Sequence, residues 1–101
     1  MMYKTHNEKS IDVGGTCLQG YIEVDYKKLT ELFGKPHDSD GYKVDAEWDI
    51  EFEDGTVATI YNYKTGKNYN GKSGTAKTKI TSWNIGGHEN KVVELINKII
   101  N

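Results

Sequence analysis

The stretch that decides the fold reads KVDAEWDIEFEDGTVATIYNY over residues 43–63. Its first half alternates apolar with polar side chains, and nearly all of the polar ones are acidic. Such a period of two is typical of a strand with one buried face and one solvated face. The acidic face, running from Asp45 to Asp54, predicts a solvated surface, or a surface that docks on a basic partner. The apolar face consists of Val44, Ala46, Trp48, Ile50 and Phe52.

A hairpin follows this strand. Asp54-Gly55 predicts a two-residue type I′ turn, and residues 56–63 predict the returning strand. In that register Trp48 faces Tyr61, which places Tyr61 and Tyr63 on the core face. We expect both tyrosines to pack in the core or, if they reach the surface, to contact a ligand.

The flanking segments supply the other elements. Residues 16–24 predict a first strand, and a short helix capped by Asp25 follows it. Residues 37–42 predict a turn-rich loop. Residues 80–85 predict the last strand, and an apolar stripe beyond it predicts a C-terminal helix. The order β-α-β-β-β-α predicts an α+β fold with a single antiparallel sheet and two helices on one face. We expect residues 1–13 to be a flexible lead-in and residues 14–101 to form a single domain.

Composition excludes several classes of function. The 101 residues suffice for one domain, and Met1 to Lys9 contain no apolar run that would serve as a signal peptide or membrane helix. The single Cys17 fits a reducing compartment. The three histidines share no metal-ligand spacing, so we expect neither a metal site nor a cofactor. No nucleophile or acid–base pair is visible either, so we expect a binding protein rather than an enzyme.

The charge distribution is more informative than the net charge of −2. Residues 55–88 contain five lysines and no acid, and every basic residue of the chain is a lysine. Arginine is the usual residue for bidentate recognition of phosphates and bases, so its absence argues against nucleic acid as the partner. The five lysines are Lys64, Lys67, Lys72, Lys77 and Lys79.

The segment TSWNIGGHE (residues 81–89) predicts a strand that ends in two glycines where a helix begins. Free backbone amides at a helix N-terminus favour anions, and glycines let a ligand approach closely. We therefore predict a ligand corner in which aromatic, amide and lysine side chains surround these amides. The alternative is a plain turn, with the tryptophan in the core. The predicted site residues are Trp83, Asn84, Gly86, Gly87, His88, Tyr69, Lys67, Lys72 and Lys79.

Several segments also carry a resemblance. GYIEV (20–24), LFGKP (32–36), FEDGTVATIYNYK (52–64) and WNIGGH (83–88) together resemble a group of small uncharacterised bacteriophage accessory proteins. The resemblance spans about residues 14–100 and brings no catalytic residues with it. It implies an accessory viral protein of the counter-defence type, made in the host cytoplasm.

Two functional hypotheses follow. In the first, the chain sequesters a phosphorylated, nucleotide-like small molecule, with the ligand held at the interface of a homodimer or higher homo-oligomer. In the second, the acidic strand face inhibits a host defence protein or a protein that handles nucleic acid. Neither hypothesis requires a membrane.

Overall fold

The alternating stretch forms an interior strand of the sheet, and its apolar side is buried. Trp48 and Ile50 have no exposed surface, and Phe52 is 3% exposed. Antiparallel strands flank it on both sides and pair with its backbone, and its apolar face packs in the hydrophobic core.

The computed structural model describes residues 2–37 and 43–101. Within this part of the chain, five strands form one antiparallel sheet of order β1-β3-β4-β5-β2, which confirms the predicted α+β class. Residues 38–42 of the predicted turn-rich loop lie outside the described residues. The elements are β1 (Tyr3–Thr5), β2 (Cys17–Glu23), α1 (Tyr26–Phe33), β3 (Glu47–Phe52), β4 (Val57–Tyr61), α2 (Lys67–Asn70), β5 (Ser82–Gly87) and α3 (Lys91–Ile100).

Helices α1 and α3 pack on the same face of the sheet. Their buried residues join the inward side chains of the strands in a single hydrophobic cluster. Asp25 caps α1 as predicted, because its carboxylate accepts a hydrogen bond from the Lys28 amide at 2.8 Å. The helix residues in the cluster are Leu29, Phe33, Val92, Ile96 and Ile100.

The hairpin turn is one residue longer than predicted. The Phe52 amide donates to the Thr56 carbonyl at 2.8 Å, and Ile50 lies opposite Ala58, so three residues make the turn. Gly55, the last of them, has a φ of +88°. A glycine in the left-handed region is typical of three-residue hairpin loops.

This longer turn exchanges the two faces of β4. Side chains along a strand alternate, so a shift of one residue moves each of them to the opposite side. Ala58 and Ile60 enter the core with no exposed surface. Tyr61 lies opposite Glu47 on the other face, and Tyr63 is 45% exposed. The prediction that both tyrosines pack in the core is therefore wrong.

The N-terminal residues also differ from the predicted flexible lead-in. β1 pairs with β3 at one edge of the sheet, whereas β2 forms the opposite edge. Residues 6–16, the N-terminal strap, must therefore cross the sheet. Lys9 Nζ lies 2.7 Å from Glu51 Oε1, which places the strap on the face opposite the two helices, here called the strap face. Ile11 in the strap is 8% exposed.

Among the helices of the described residues, none has the length and apolar character needed to cross a bilayer.

Candidate functional site

The predicted ligand corner is not formed, and Trp83 is the first reason. Its side chain has no exposed surface, and its ring packs edge-on against that of Trp48 at 5.4 Å between centroids. Its indole N–H donates to the Ile80 carbonyl at 3.2 Å. Trp83 is therefore a core residue, because no part of its ring can reach a ligand.

The two glycines lie inside β5 rather than at a helix start. β5 has β4 on one side and β2 on the other, and Gly86 lies opposite both Thr59 and Leu18. Helix α3 begins only at Lys91. The backbone amides of Gly86 and Gly87 therefore belong to an interior strand of the sheet, and not to the N-terminus of a helix as predicted.

Close packing explains why glycine occupies both positions. A Cβ atom added to Gly86 would overlap the Thr59 hydroxyl, and one added to Gly87 would lie 2.8 Å from Val92 Cγ2. The glycines therefore allow β5 to approach its neighbours on both faces. They serve the fold rather than a ligand.

The other two corner residues lie apart from each other. Asn84 is half-buried on the strap face, where it lies opposite Tyr61 of β4. His88 is exposed just beyond β5, and a Cβ on Gly15 of the strap would lie 3.5 Å from its ring. Trp83 and Asn84 are successive strand residues and therefore lie on opposite faces of β5, and His88 lies beyond its end.

The lysine segment (residues 64–79) lies at the far end of β5. It connects the end of β4 to the start of β5, whereas Gly86, Gly87 and His88 lie at the end of β5. Strand residues rise about 3.4 Å each, so the six-residue strand separates the two groups by about 17 Å. The residues that were predicted to form one ligand corner therefore lie in two separate parts of the structure.

A buried carboxylate anchors the lysine segment to β3. Asp45, predicted to lie on the solvated acidic face, is only 7% exposed. Its oxygens accept hydrogen bonds from the Asn62 side chain at 3.0 Å and from the Asn68 amide at 3.2 Å. Gly66 packs so closely that an added Cβ would overlap this carboxylate. The segment is therefore folded onto the sheet, through α2 and two 3-10 turns.

The lysine segment borders an open surface cavity of about 420 Å³ beside this anchor. Lys67, a predicted site residue, lines it together with Lys77. The remaining lining residues are Asp45, Asn68, Ala76 and Thr78. Two ammonium groups and an amide side chain around one cavity can bind an anionic oxygen cluster such as a phosphate.

The other predicted residues of the segment surround this cavity without lining it. Lys72 and Lys79 are exposed, and Tyr69 is 38% exposed. Lys64 Nζ lies 5.6 Å from the centre of the Tyr69 ring, within range of a cation–π contact. Across the described parts of the chain, Lys67, Lys72, Lys77 and Lys79 form no ion pair.

A second cluster, which the sequence did not reveal, lies on the strap face beside the first residues of β3, beyond the part that β1 covers. His37 pairs with Glu47 through an isolated antiparallel bridge, which places its ring beside the acidic row. His37 Nε2 lies 2.9 Å from Asp49 Oδ2 and 3.7 Å from Glu47 Oε2. These three side chains are called the β3-edge cluster below. Their donor atoms lie within 4.8 Å of one another.

His6 forms one wall of the β3-edge cluster. Its ring lies edge-on to that of His37 at 4.6 Å between centroids. The Asp49 amide donates to His6 Nδ1 at 3.3 Å, and His6 Nε2 lies 2.9 Å from the Lys35 carbonyl. A carbonyl only accepts, so Nε2 carries the proton, and both ring nitrogens are engaged.

The signal for this cluster in the sequence was incomplete. Glu47 and Asp49 alternate on one strand, so their common face was predictable. His37 comes ten residues earlier, across a loop, and His6 lies in a segment expected to be flexible. Only the pairing of both histidine segments with the same edge of β3 brings the four side chains together.

Comparison of the chain with protein-family models and with curated proteins found no match, so no family membership and no activity transfer to it from a relative.

Proposed function

We propose that this protein binds and sequesters a phosphorylated small molecule of nucleotide type without converting it. The lysine segment replaces the predicted corner as the place of contact. The observation that carries the proposal is the cavity lined by Lys67 and Lys77, within a run of residues that contains no acid.

Electrostatics supports an anionic ligand. Lysines on a protein surface commonly pair with nearby carboxylates, yet in the described residues these ammonium groups have no acidic partner. Asp45, the only acid among the described residues that line the cavity, accepts hydrogen bonds from Asn62 and Asn68 with its two oxygens. The positive charge at the cavity mouth is therefore available to phosphate oxygens.

Tyr69 supports a ligand that carries a ring as well as phosphate. It is a partly exposed aromatic side chain within the lysine segment, and Tyr63 lies close by, with Lys64 Nζ 5.3 Å from its ring centre. Bases stack on such rings with little dependence on sequence. A nucleotide would use both features, because it joins an aromatic base to phosphate groups. The resemblance to bacteriophage accessory proteins makes a signalling nucleotide of the host the natural target.

Titration calorimetry with ADP, ADP-ribose, a cyclic dinucleotide and pyrophosphate tests the proposal, with adenosine as the uncharged control. We expect at least one phosphorylated probe to bind, and the double variant K67Q/K77Q to bind it at least about tenfold more weakly, because two charge-assisted contacts are lost. The matched control is K98Q, since Lys98 is an exposed lysine on α3.

Two results would contradict the proposal. One is that no phosphorylated probe binds better than adenosine. The other is that K67Q/K77Q binds as tightly as K98Q. Sequestration is tested separately by heating the complex and measuring the released probe by mass spectrometry, because a converted product would exclude binding without turnover.

The competing proposal is that the acidic strand face inhibits a host protein. Fewer acids on this face are exposed than the sequence suggested. Asp45 and Asp49 are buried, and Glu51 pairs with Lys9 at 2.7 Å. Glu53 and Asp54 at the hairpin turn are the acids of this row that remain exposed. If the inhibitor proposal holds, E53K/D54K abolishes counter-defence activity in infected cells while K67Q/K77Q retains it. The sequestration proposal expects the reverse.

A further inference from the structure

We propose that the β3-edge cluster, His37, Glu47 and Asp49, binds a divalent transition-metal ion, with Zn²⁺ as the reference ion. This site is separate from the lysine segment and goes beyond the proposed function.

Two of the three separations between the donor atoms are close to those of a tetrahedral ion. With metal–ligand bonds of about 2.0–2.1 Å, two donors of a tetrahedral site lie about 3.3 Å apart. The separations from His37 Nε2, 2.9 Å to Asp49 Oδ2 and 3.7 Å to Glu47 Oε2, bracket that value. One imidazole and two carboxylates are also a ligand set that first-row divalent metals accept.

The carboxylate of Asp49 gives an independent indication. Its side chain is 7% exposed, and Oδ1 is buried with no hydrogen-bond partner among the residues that the structure describes. Buried polar atoms are satisfied in nearly all proteins, and a buried charged oxygen is the costliest one to leave unpaired. An ion held by Asp49 Oδ2 and the other two side chains offsets the negative charge that the carboxylate shares between Oδ2 and Oδ1.

His6 positions the cluster but is not a ligand. Both of its ring nitrogens are engaged, with the Asp49 amide and the Lys35 carbonyl. It therefore holds the edge of β3 against the segment that carries His37. When an ion binds, the proton of the neutral His37 ring lies on Nδ1, because Nε2 must supply its lone pair to the metal.

Three protein ligands leave the fourth position of a tetrahedral ion open. The His37 side chain is 37% exposed, whereas those of Glu47 and Asp49 are 13% and 7% exposed. The open position therefore faces solvent on the His37 side, where water or a ligand oxygen completes the coordination.

The test is titration of metal-free protein, without an affinity tag and in a C17S background, with Zn²⁺ by calorimetry and with Co²⁺ by visible absorption. The C17S change removes the exposed thiol as an alternative ligand. We expect one ion per chain, tetrahedral Co²⁺ bands, and affinity at least about tenfold weaker in H37Q and E47Q, because each change removes a ligand. H88Q, which changes an exposed histidine outside the cluster, keeps full affinity.

Failure of the parent protein to bind Zn²⁺ would overturn the proposal. So would a loss of affinity in H88Q equal to that in H37Q, or unchanged binding in H37Q. Circular dichroism without metal shows whether each variant is folded. If D49N does not fold, E47Q decides the outcome, because Glu47 is less buried than Asp49.

Discussion

At the residue scale, Gly86 shows how an absent side chain shapes the sheet. Its missing Cβ leaves room for the Thr59 hydroxyl and the edge of the Tyr61 ring. The backbone of Gly86 is engaged on both sides by neighbouring strands, so the residue acts through packing.

We expect G86A to lower the free energy of unfolding by about 1–3 kcal/mol, because the added methyl group overpacks a closed site. Urea denaturation measures this loss. In the T59A background the same change should cost less, since the clashing hydroxyl is gone. Equal stability of G86A and the parent protein would show that the strand has room at this position.

Two tyrosines make the fold sensitive to alkaline pH. Burial raises the pKa of Tyr61 above the ordinary value of about 10, and the hydrogen bond to Asn84 only partly opposes this. Burial, aided by the charge of Glu8, raises the pKa of Tyr3, whose hydroxyl donates to the Leu32 carbonyl at 3.2 Å. The folded protein therefore holds both protons more tightly than the unfolded chain does.

The sign of the effect follows by linkage. The stability from these raised pKa values is fully present below about pH 10 and is lost as the pH rises through the folded-state pKa values. Urea denaturation between pH 8 and pH 11 should show a smaller loss in Y3F and Y61F than in the parent protein. If Y3F/Y61F loses as much stability as the parent protein, titration of other groups, such as lysines, accounts for the whole effect.

At the element scale, the N-terminal strap holds the two edges of the sheet together. Ile11 is buried on it, yet it is not part of the main hydrophobic cluster. We expect I11A to destabilise the protein by about 2 kcal/mol, the low end for removing a buried aliphatic side chain. Urea denaturation measures this loss of stability. M2A is the control, because Met2 is 76% exposed. Equal stability of I11A and M2A would mean that the strap does not pack on the sheet.

The elements also show which local signals were sufficient. The start and end of α1 were predictable, because Asp25 and Gly34 act on backbone groups within a few residues, and Gly34 has a φ of +82°. The hairpin length was not, because Asp-Gly occurs in turns of two and of three residues. The choice between them depends on which side chains the core accepts across β3 and β4.

At the scale of the whole molecule, the outer edge of β2 has no strand beyond it in the described sheet. Leu18 and Tyr21 on this strand are 46% and 63% exposed. We expect two chains to pair along this edge, because an open edge with exposed apolar side chains invites another strand. Light scattering after size exclusion should give twice the chain mass of 11.4 kDa, and L18K should shift it toward the monomer. A monomer at all concentrations would contradict the dimer.

The sequence by itself determined the class of fold and the parts that depend on near neighbours. The alternation in β3, the cap of α1 and the apolar stripe of α3 are local patterns, and each follows from helix or strand geometry alone. The lysine-rich, acid-free composition of residues 55–88 is likewise a property of the chain itself.

Only the tertiary structure decided where chemistry could occur. It placed Trp83 in the core, turned Tyr61 outward, separated His88 from the lysine segment, and brought His37 to Glu47 and Asp49. Each of these outcomes depends on strand register or on the pairing of distant segments. Such pairings are chosen by how well the whole core packs, and no short stretch of sequence contains that information.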